Sequence, residues 1–248
     1  MKNKTISLVD PIGSGTLQLI AKATLFNKWM YSEFKSELKG EILEVGSGIG
    51  NISQLAVDDG LAITLSDYNA EYCDWLRKKF EGTANVNDIL QIDLLRPDFK
   101  IAYFPLKEKF ESIFLLNVLE HISDDHAALS NCHFMIKPGG SLIVLVPAYK
   151  WLYSPLDKEL GHYRRYDSKA VKKILEEELF TIKKITHFNF LGIGGWLLSG
   201  KIFREKKLGA NKMGVFNRIV PIAKLLDKIT FKKFGLSVIA VAKKKNNW

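Results

Sequence analysis

The stretch Glu41-Ile-Leu-Glu-Val-Gly-Ser-Gly-Ile-Gly-Asn51 constrains this chain more than any other. Gly46, Gly48 and Gly50 follow a short apolar run with an acid, Glu44, inside it. Glycine lets the backbone turn sharply and approach a ligand with no Cβ in the way. A strand that runs into such a loop and then into a helix places a nucleotide-like ligand at the carboxyl edge of a parallel sheet. A dinucleotide fingerprint would read G-x-G-x-x-G, but position 51 is Asn.

Downstream, apolar strands alternate with helical segments. Ala62 to Ser66 reads as strand two, Val86 to Ile92 as strand three, Phe110 to Leu116 as strand four and Ser141 to Val146 as strand five. Helices over Ile52–Asp59, Ala70–Phe80 and Asp124–Ile136 separate them, and one or two more span Thr16–Leu38. The result is a series of βαβ units around a parallel sheet. After a helix over Ser168–Leu179, strand six (Thr181–Phe190) and strand seven (Leu236–Ala242) are parted by about 45 residues.

The charge is uneven. The 248 residues carry a formal net charge of +9. Ten Lys and Arg side chains between Phe190 and Phe234 stand against only Glu205 and Asp227, so this segment supplies most of the excess. A basic balance suggests an anionic partner. Two cysteines, Cys73 and Cys132, are too few for a disulfide framework and lack metal-ligand spacing. The N-terminus lacks the apolar core of a signal peptide, so a cytoplasmic location is expected and the glycosylation-like matches at Asn3 and Asn51 are chance.

The pattern E-x-G-x-G-x-G resembles the first motif of class I S-adenosylmethionine (SAM)-dependent methyltransferases. Asp67 ends strand two about 20 residues beyond the loop, where an acid accepts the ribose hydroxyls of an adenosine. The resemblance implies SAM as cofactor and S-adenosylhomocysteine as product, with Gly46, Ser47, Gly48 and Gly50 in the cradle. Tyr68 would stack on the adenine, Asp93 accept its exocyclic amine and Leu94 lie along the base. Asn117 and Val118 would flank the methionine half, and Glu44 would lie near its ammonium. An acid at a strand end also caps helices, but several at successive strand ends beside a glycine loop favour the cofactor. A nicotinamide dehydrogenase shares the loop and the ribose acid; it gives no reason for Asp93-Leu94 and would prefer glycine at 51.

The resemblance implies one Rossmann-like α/β domain over 1–248: a helical cap (1–40), a SAM-binding core (41–147) and an acceptor-side half (148–248). Such enzymes end in an antiparallel hairpin of strands six and seven, so the basic segment 190–234 is an insertion inside that hairpin. Phe26-Asn-Lys-Trp29, Asn117-Val-Leu-Glu-His121 and Gly161-His-Tyr-Arg-Arg-Tyr166 are similar to one bacterial group of these enzymes, akin to small-molecule and ubiquinone-type methyltransferases. Its members often stand beside enzymes of lipid-linked or cell-surface glycans. Phe26 replaces the group's usual Tyr, so no hydrogen-bonding role is carried over.

Methyl transfer to oxygen needs a positioned acceptor and a base titrating near neutrality. His121 and His162 are the candidates; alternatively His121 orients the Asn117 loop or touches the cofactor carboxylate, and His162 is an exposed loop residue. Arg164 and Arg165 could grip phosphate or carboxylate, with one of them facing solvent, or pair with Asp157, Glu159 or Asp167. No metal is expected: Asp124 and Asp125, between His121 and His126, read as charges opening a helix.

Phe188 to Gly200 is apolar but only about 13 residues long, against about 20 for a membrane span. Val215–Phe231 reads as an amphipathic basic helix through Phe216, Ile219, Val220, Ala223, Leu226 and Ile229. It either lies on anionic membrane or packs as a lid over the acceptor pocket. Nucleic acid is a weaker choice, because the aromatics do not form a stacking row. The expectation is O-methylation of a glycan-related or lipid-linked acceptor. A soluble small-molecule acceptor and a SAM-binding adapter without turnover are the alternatives.

Overall fold

The computed structural model describes residues 17–204 and 210–245. Asn3, the helix start at Thr16, and Glu205, Lys206 and Lys207 lie outside the described residues, as does the side chain of Lys212. Seven strands form one sheet: β1 (Ile42–Val45), β2 (Ile63–Asp67), β3 (Val86–Gln91), β4 (Phe110–Leu116), β5 (Ile136–Pro147), β6 (Phe180–Phe188) and β7 (Ser237–Lys244). Their order is β3-β2-β1-β4-β5-β7-β6. The pairs from β3 through β5 are parallel, whereas β7 runs antiparallel between β5 and β6. β1 and β4 sit centrally and are apolar or buried along most of their length, as a sheet covered on both faces requires.

A short helical stretch (17–21) and α1 (Thr24–Ser32) precede the sheet. α2 (Asn51–Asp58), α3 (Ala70–Lys79), the brief α4 (Phe99–Ala102) and α5 (Asp125–Met135) connect the parallel strands. α6 (Pro155–Glu159) and α7 (Ser168–Glu177) lead to β6. Between β6 and β7 come α8 (Phe190–Trp196), a π-helical turn (Leu197–Ile202) and α9 (Ala210–Ile229). β5 starts earlier than expected because the chain enters extended conformation directly at the end of α5, and Lys137 to Gly140 join the strand across a register shift against β4.

Two buried clusters flank the sheet. One gathers Phe110, Ile113, Leu115, Leu142 and Val144 with α5 and α7. The other joins Phe114, Ile143 and Ile239 to Trp29 and Phe34 from the N-terminal side and to Val220 and Ala223 from α9. The insertion is thus tied into the core. The buried carboxylate of Asp227 on α9 accepts the backbone amides of Asn189 and Phe190, both at 2.7 Å, where α8 begins.

The glycine loop is fixed by packing as well as by conformation. Gly46 and Gly50 both have φ of 74°, a region costly for side-chain-bearing residues. A Cβ on Gly46 would collide with Val118 Cγ2. On Gly50 it would lie 2.8 Å from Phe80 Cε2 and 2.9 Å from Leu76 Cδ2 of the α3 region. Lys79 donates to the carbonyls of Ile49 (3.0 Å) and Gly50 (2.6 Å). Below the loop, the buried Glu44 carboxylate accepts Ser53 Oγ from α2. Burial pushes this carboxyl up from its ordinary 4.5 to about 7, against the lowering pull of Ser53, Ser47 and Lys79.

Two outcomes follow from this packing. Gly50→Ala should cost about 2–4 kcal/mol, combining overpacking with left-handed strain, and calorimetry should show a lowered Tm. A folded-state pKa raised above the unfolded one gives stability that is full at low pH and lost as pH climbs from about 4.5 to about 7. Glu44→Gln should therefore flatten the fall in unfolding free energy across that window, by on the order of 1–3 kcal/mol in denaturant titrations; an unaltered slope would show that Glu44 is not the titrating group.

Candidate active site

The carboxyl ends of β1, β2 and β4 meet at one edge of the sheet and bring the expected cofactor residues together. Asp67, at the end of β2, is only 6% exposed. One carboxylate oxygen accepts Gly48 N–H at 2.9 Å, and the other accepts Asn69 N–H at 2.9 Å, next to the start of α3. Burial raises its pKa, opposed by those amides. Ser47 is buried and doubly tied to Ser66 of β2, its amide donating to the Ser66 carbonyl and its hydroxyl accepting the Ser66 amide. The side chain of Leu17 lies against Gly48, and its carbonyl accepts Asn51 Nδ2. Asn51, the departure from the dinucleotide pattern, thus anchors the N-terminal segment over the loop.

Around this loop the groups open to solvent are Tyr68, 71% exposed, and Asn117, held at φ 53° with its amide bound to the Leu145 carbonyl. Asp93 is also exposed, though one of its oxygens caps its own turn at Leu95 N–H. Leu94 differs from expectation. It is buried in the core cluster beside Ile92 and Phe99, because the chain after β3 folds back beneath α5, whose Asn131 donates to the Leu94 carbonyl. Glu44 faces inward to Ser53 on α2.

A second constellation lies beyond β4. Glu120 and His121 form a turn of 3-10 helix (Leu119–His121), and the backbone amide of Tyr163 donates to the Glu120 carbonyl, drawing the loop after α6 onto this turn. The His121 and His162 rings meet edge to face, with centroids 4.7 Å apart. Asp157, completely buried, is the hub. It accepts His162 Nδ1 (2.9 Å), Arg165 Nε (2.7 Å), and the amide and hydroxyl of Ser154 (2.9 and 3.0 Å). Burial would raise its carboxyl, but His162 and Arg165 hold it below the ordinary value. Arg165 also donates to the Ala148 carbonyl and stacks on Trp196, whose indole N–H points to Asp157.

The arginine pair divides. Arg165 turns inward to Asp157, one of the partners considered from sequence. Arg164 is one-third exposed and pairs with Asp125 at 2.8 Å, a partner not considered there. Asp125 also accepts the Tyr166 hydroxyl. Asp124 caps α5 through Ala127 N–H, and His126 pairs with Glu178, so the acids opening α5 have ordinary structural duties. Sequence reading missed Glu120, Asp157 as an orienting group, and Trp196. The signal for Glu120 was an acid beside a histidine a few residues after a strand that ends in the apolar run Ile113–Leu116. Glu120 is completely buried, and burial pushes its carboxyl up to about 8 despite nearby Arg165.

The insertion differs in part from expectation. Phe216, Val220 and Ala223 of α9 face inward, onto Trp29, Phe26 and Phe188. They and the half-buried Ile219 and Leu226 are the face expected to meet membrane or pocket. Ile229, the last residue of the expected face, instead turns outward with Val215, Ile222 and Leu225; all four are more than half exposed, flanked by Arg218, Lys224 and Lys228. The part of the insertion that reaches the histidine cluster is α8 and the π-turn, through Trp196 and Gly200, which abuts Ser154. No helix among the described residues is long and apolar enough to cross a membrane.

Residues 20–185 match the profile of a family described as a methyltransferase domain. Over 115 residues the chain is 31% identical to a ubiquinone biosynthesis O-methyltransferase of Coxiella burnetii, covering 45% of this chain and 46% of that protein. The match thus spans about half the length of such relatives. A SAM-dependent methyltransferase from Archaeoglobus fulgidus shares the fold at 18% identity, with a TM-score of 0.59, over 89% of this chain and 94% of its own. Phosphoethanolamine N-methyltransferase 2 of Haemonchus contortus, solved with SAM, superposes with a TM-score of 0.61 at 16% identity, covering 99% of this chain and 62% of that one. With its antiparallel β5-β7-β6 edge and glycine loop, the chain belongs to the methyltransferase-domain family and has the seven-stranded fold of SAM-dependent methyltransferases.

Proposed function

We propose that the chain O-methylates a lipid-linked, glycan-related acceptor at an anionic membrane surface. The observation that carries oxygen chemistry is His162, oriented by Asp157 and facing His121 one turn beyond Asn117. SAM supplies an electrophilic methyl group. In this reading Asp67 receives the ribose hydroxyls, Tyr68 covers the adenine, Asp93 meets its amine, and Asn117, Val118 and the amides of the glycine loop position the methionine half. The enclosed Glu44 acts through Ser53 and the loop, and Leu94 acts as the floor of the adenine side.

The acceptor would enter past Tyr163 and Trp151, 61% and 56% exposed, with Arg164 able to exchange Asp125 for an anionic group. The Asp157 carboxylate fixes the His162 ring, and the histidine pair takes the acceptor proton. The lipid surface is supported by the outward stripe of α9: exposed apolar side chains beside lysines suit an interfacial helix. The O-methyltransferase name of the Coxiella relative favours an oxygen acceptor, and a soluble small molecule is the second reading.

Isothermal titration should show SAM affinity falling about 10–100-fold in Asp67→Ala, the scale of charge-assisted hydrogen bonds. His162→Ala should lower kcat about 10²–10⁴-fold with little change in SAM binding. Label transferred from methyl-labelled SAM should appear in the lipid fraction of a cell extract; label confined to RNA or protein would refute the acceptor class, and label only in water-soluble small molecules would establish the second reading. For the surface, the protein should float with vesicles rich in anionic lipid, and the Ile222→Asp, Ile229→Asp double variant should stay behind with an unchanged Tm. Equal flotation of both would remove α9 as the contact.

A further inference from the structure

Glu120, His121 and His162 come from two loops about 40 residues apart in sequence, yet one ligand-type atom from each lies within 4.8 Å of the others. Three observations distinguish this cluster from chance proximity. First, Glu120 is completely buried, and neither carboxylate oxygen makes a hydrogen bond to another residue. Buried carboxyl groups are ordinarily paired or bound to metal. Second, His162 is held through Nδ1 by Asp157 at 2.9 Å, which leaves Nε2 as the available donor. Metal-binding histidines are oriented by a carboxylate in this way. Third, the buried guanidinium of Arg165 is engaged elsewhere: it donates to Asp157 and to the Ala148 carbonyl, and neither Glu120 oxygen receives it. His121 lies on the solvent side of the group, which provides an entry path and an open position.

We propose that Glu120, His121 and His162 bind a single divalent cation of the zinc class. Two imidazoles and one carboxylate with a free position form a donor set suited to that ion. Ligands around a tetrahedral zinc stand about 3.4 Å apart, so modest side-chain rotation closes the group. The proposed use of the ion rests on the O-methylation reading; its binding does not. With the ion bound, the two histidines serve as its ligands instead of as the base, and an acceptor hydroxyl at the open position would lose its proton to water more readily. Its oxygen would then form the new bond to the methyl carbon as the bond from that carbon to sulfur breaks, releasing S-adenosylhomocysteine.

The test uses the full chain, stripped with a chelator and titrated with Co²⁺, whose visible d–d absorption reports nitrogen and oxygen ligands. One equivalent should bind and be displaced by Zn²⁺. Glu120→Gln and His121→Ala should each weaken Co²⁺ binding at least tenfold. SAM binding, measured on the same samples, should be retained and so show that the variants are folded. A wild-type protein that binds SAM but takes up no Co²⁺ overturns the proposal, as does uptake undiminished in both variants. Loss of SAM binding in the wild type would instead sink the methyltransferase reading and leave the metal result standing.

Discussion

The loops beyond β4 and β5 are organised by one buried carboxylate. Asp157 has no exposure and receives donors from its own helix, from His162, from Arg165 and from Trp196. Those donors belong to segments that share no regular secondary structure. Arg165 reaches onward to Ala148, the residue just past β5, and Trp196 belongs to the insertion between β6 and β7. A buried ion pair of this kind adds little net stability compared with apolar packing, but removing one partner costs several kcal/mol because the other is left uncompensated. Its effect is to specify geometry: the loops can close in only one way, and that way points His162 at His121.

The cofactor half rests on a different constraint, close approach. Gly46 lies against Val118, and Gly50 lies under Phe80 and Leu76. The loop therefore touches both β4's exit and α3, and its amide at Gly48 is held by Asp67. The two halves share one hinge of chemistry. Val118 packs on the glycine loop, and three residues on His121 begins the histidine cluster. A shift at the loop would be felt at the histidines through this short 3-10 turn.

Much of this was readable from residue order alone. The strand and helix alternation emerged from apolar runs, and the antiparallel edge followed from the resemblance. The burial of Leu94 was not legible, because a residue beside a strand end can point toward a ligand or toward the core, and only the refolding of the chain under α5 encloses it. On α9 the periodicity identified an amphipathic helix. It could not say which of two apolar stripes faces inward, since Phe216, Val220 and Ala223 acquire their partners from α1 and β6, far away in sequence. The partner of Arg164 was misjudged for the same reason: Asp125 is 39 positions away and meets it only because Tyr166 draws that strap along the end of β5.

The sequence by itself determined the fold and the conformation of the glycine loop, because both depend on local signals: turn-permitting glycines, acids at strand ends and the period of apolar residues. Tertiary structure alone decided what surrounds Glu120. Nothing in Asn117-Val-Leu-Glu-His121 shows that the acid is enclosed while its neighbour faces solvent, or that His162 arrives with its ring already held by Asp157. Burial and pairing are properties of several distant segments at once, and they bring an ordinary acid and two histidines together.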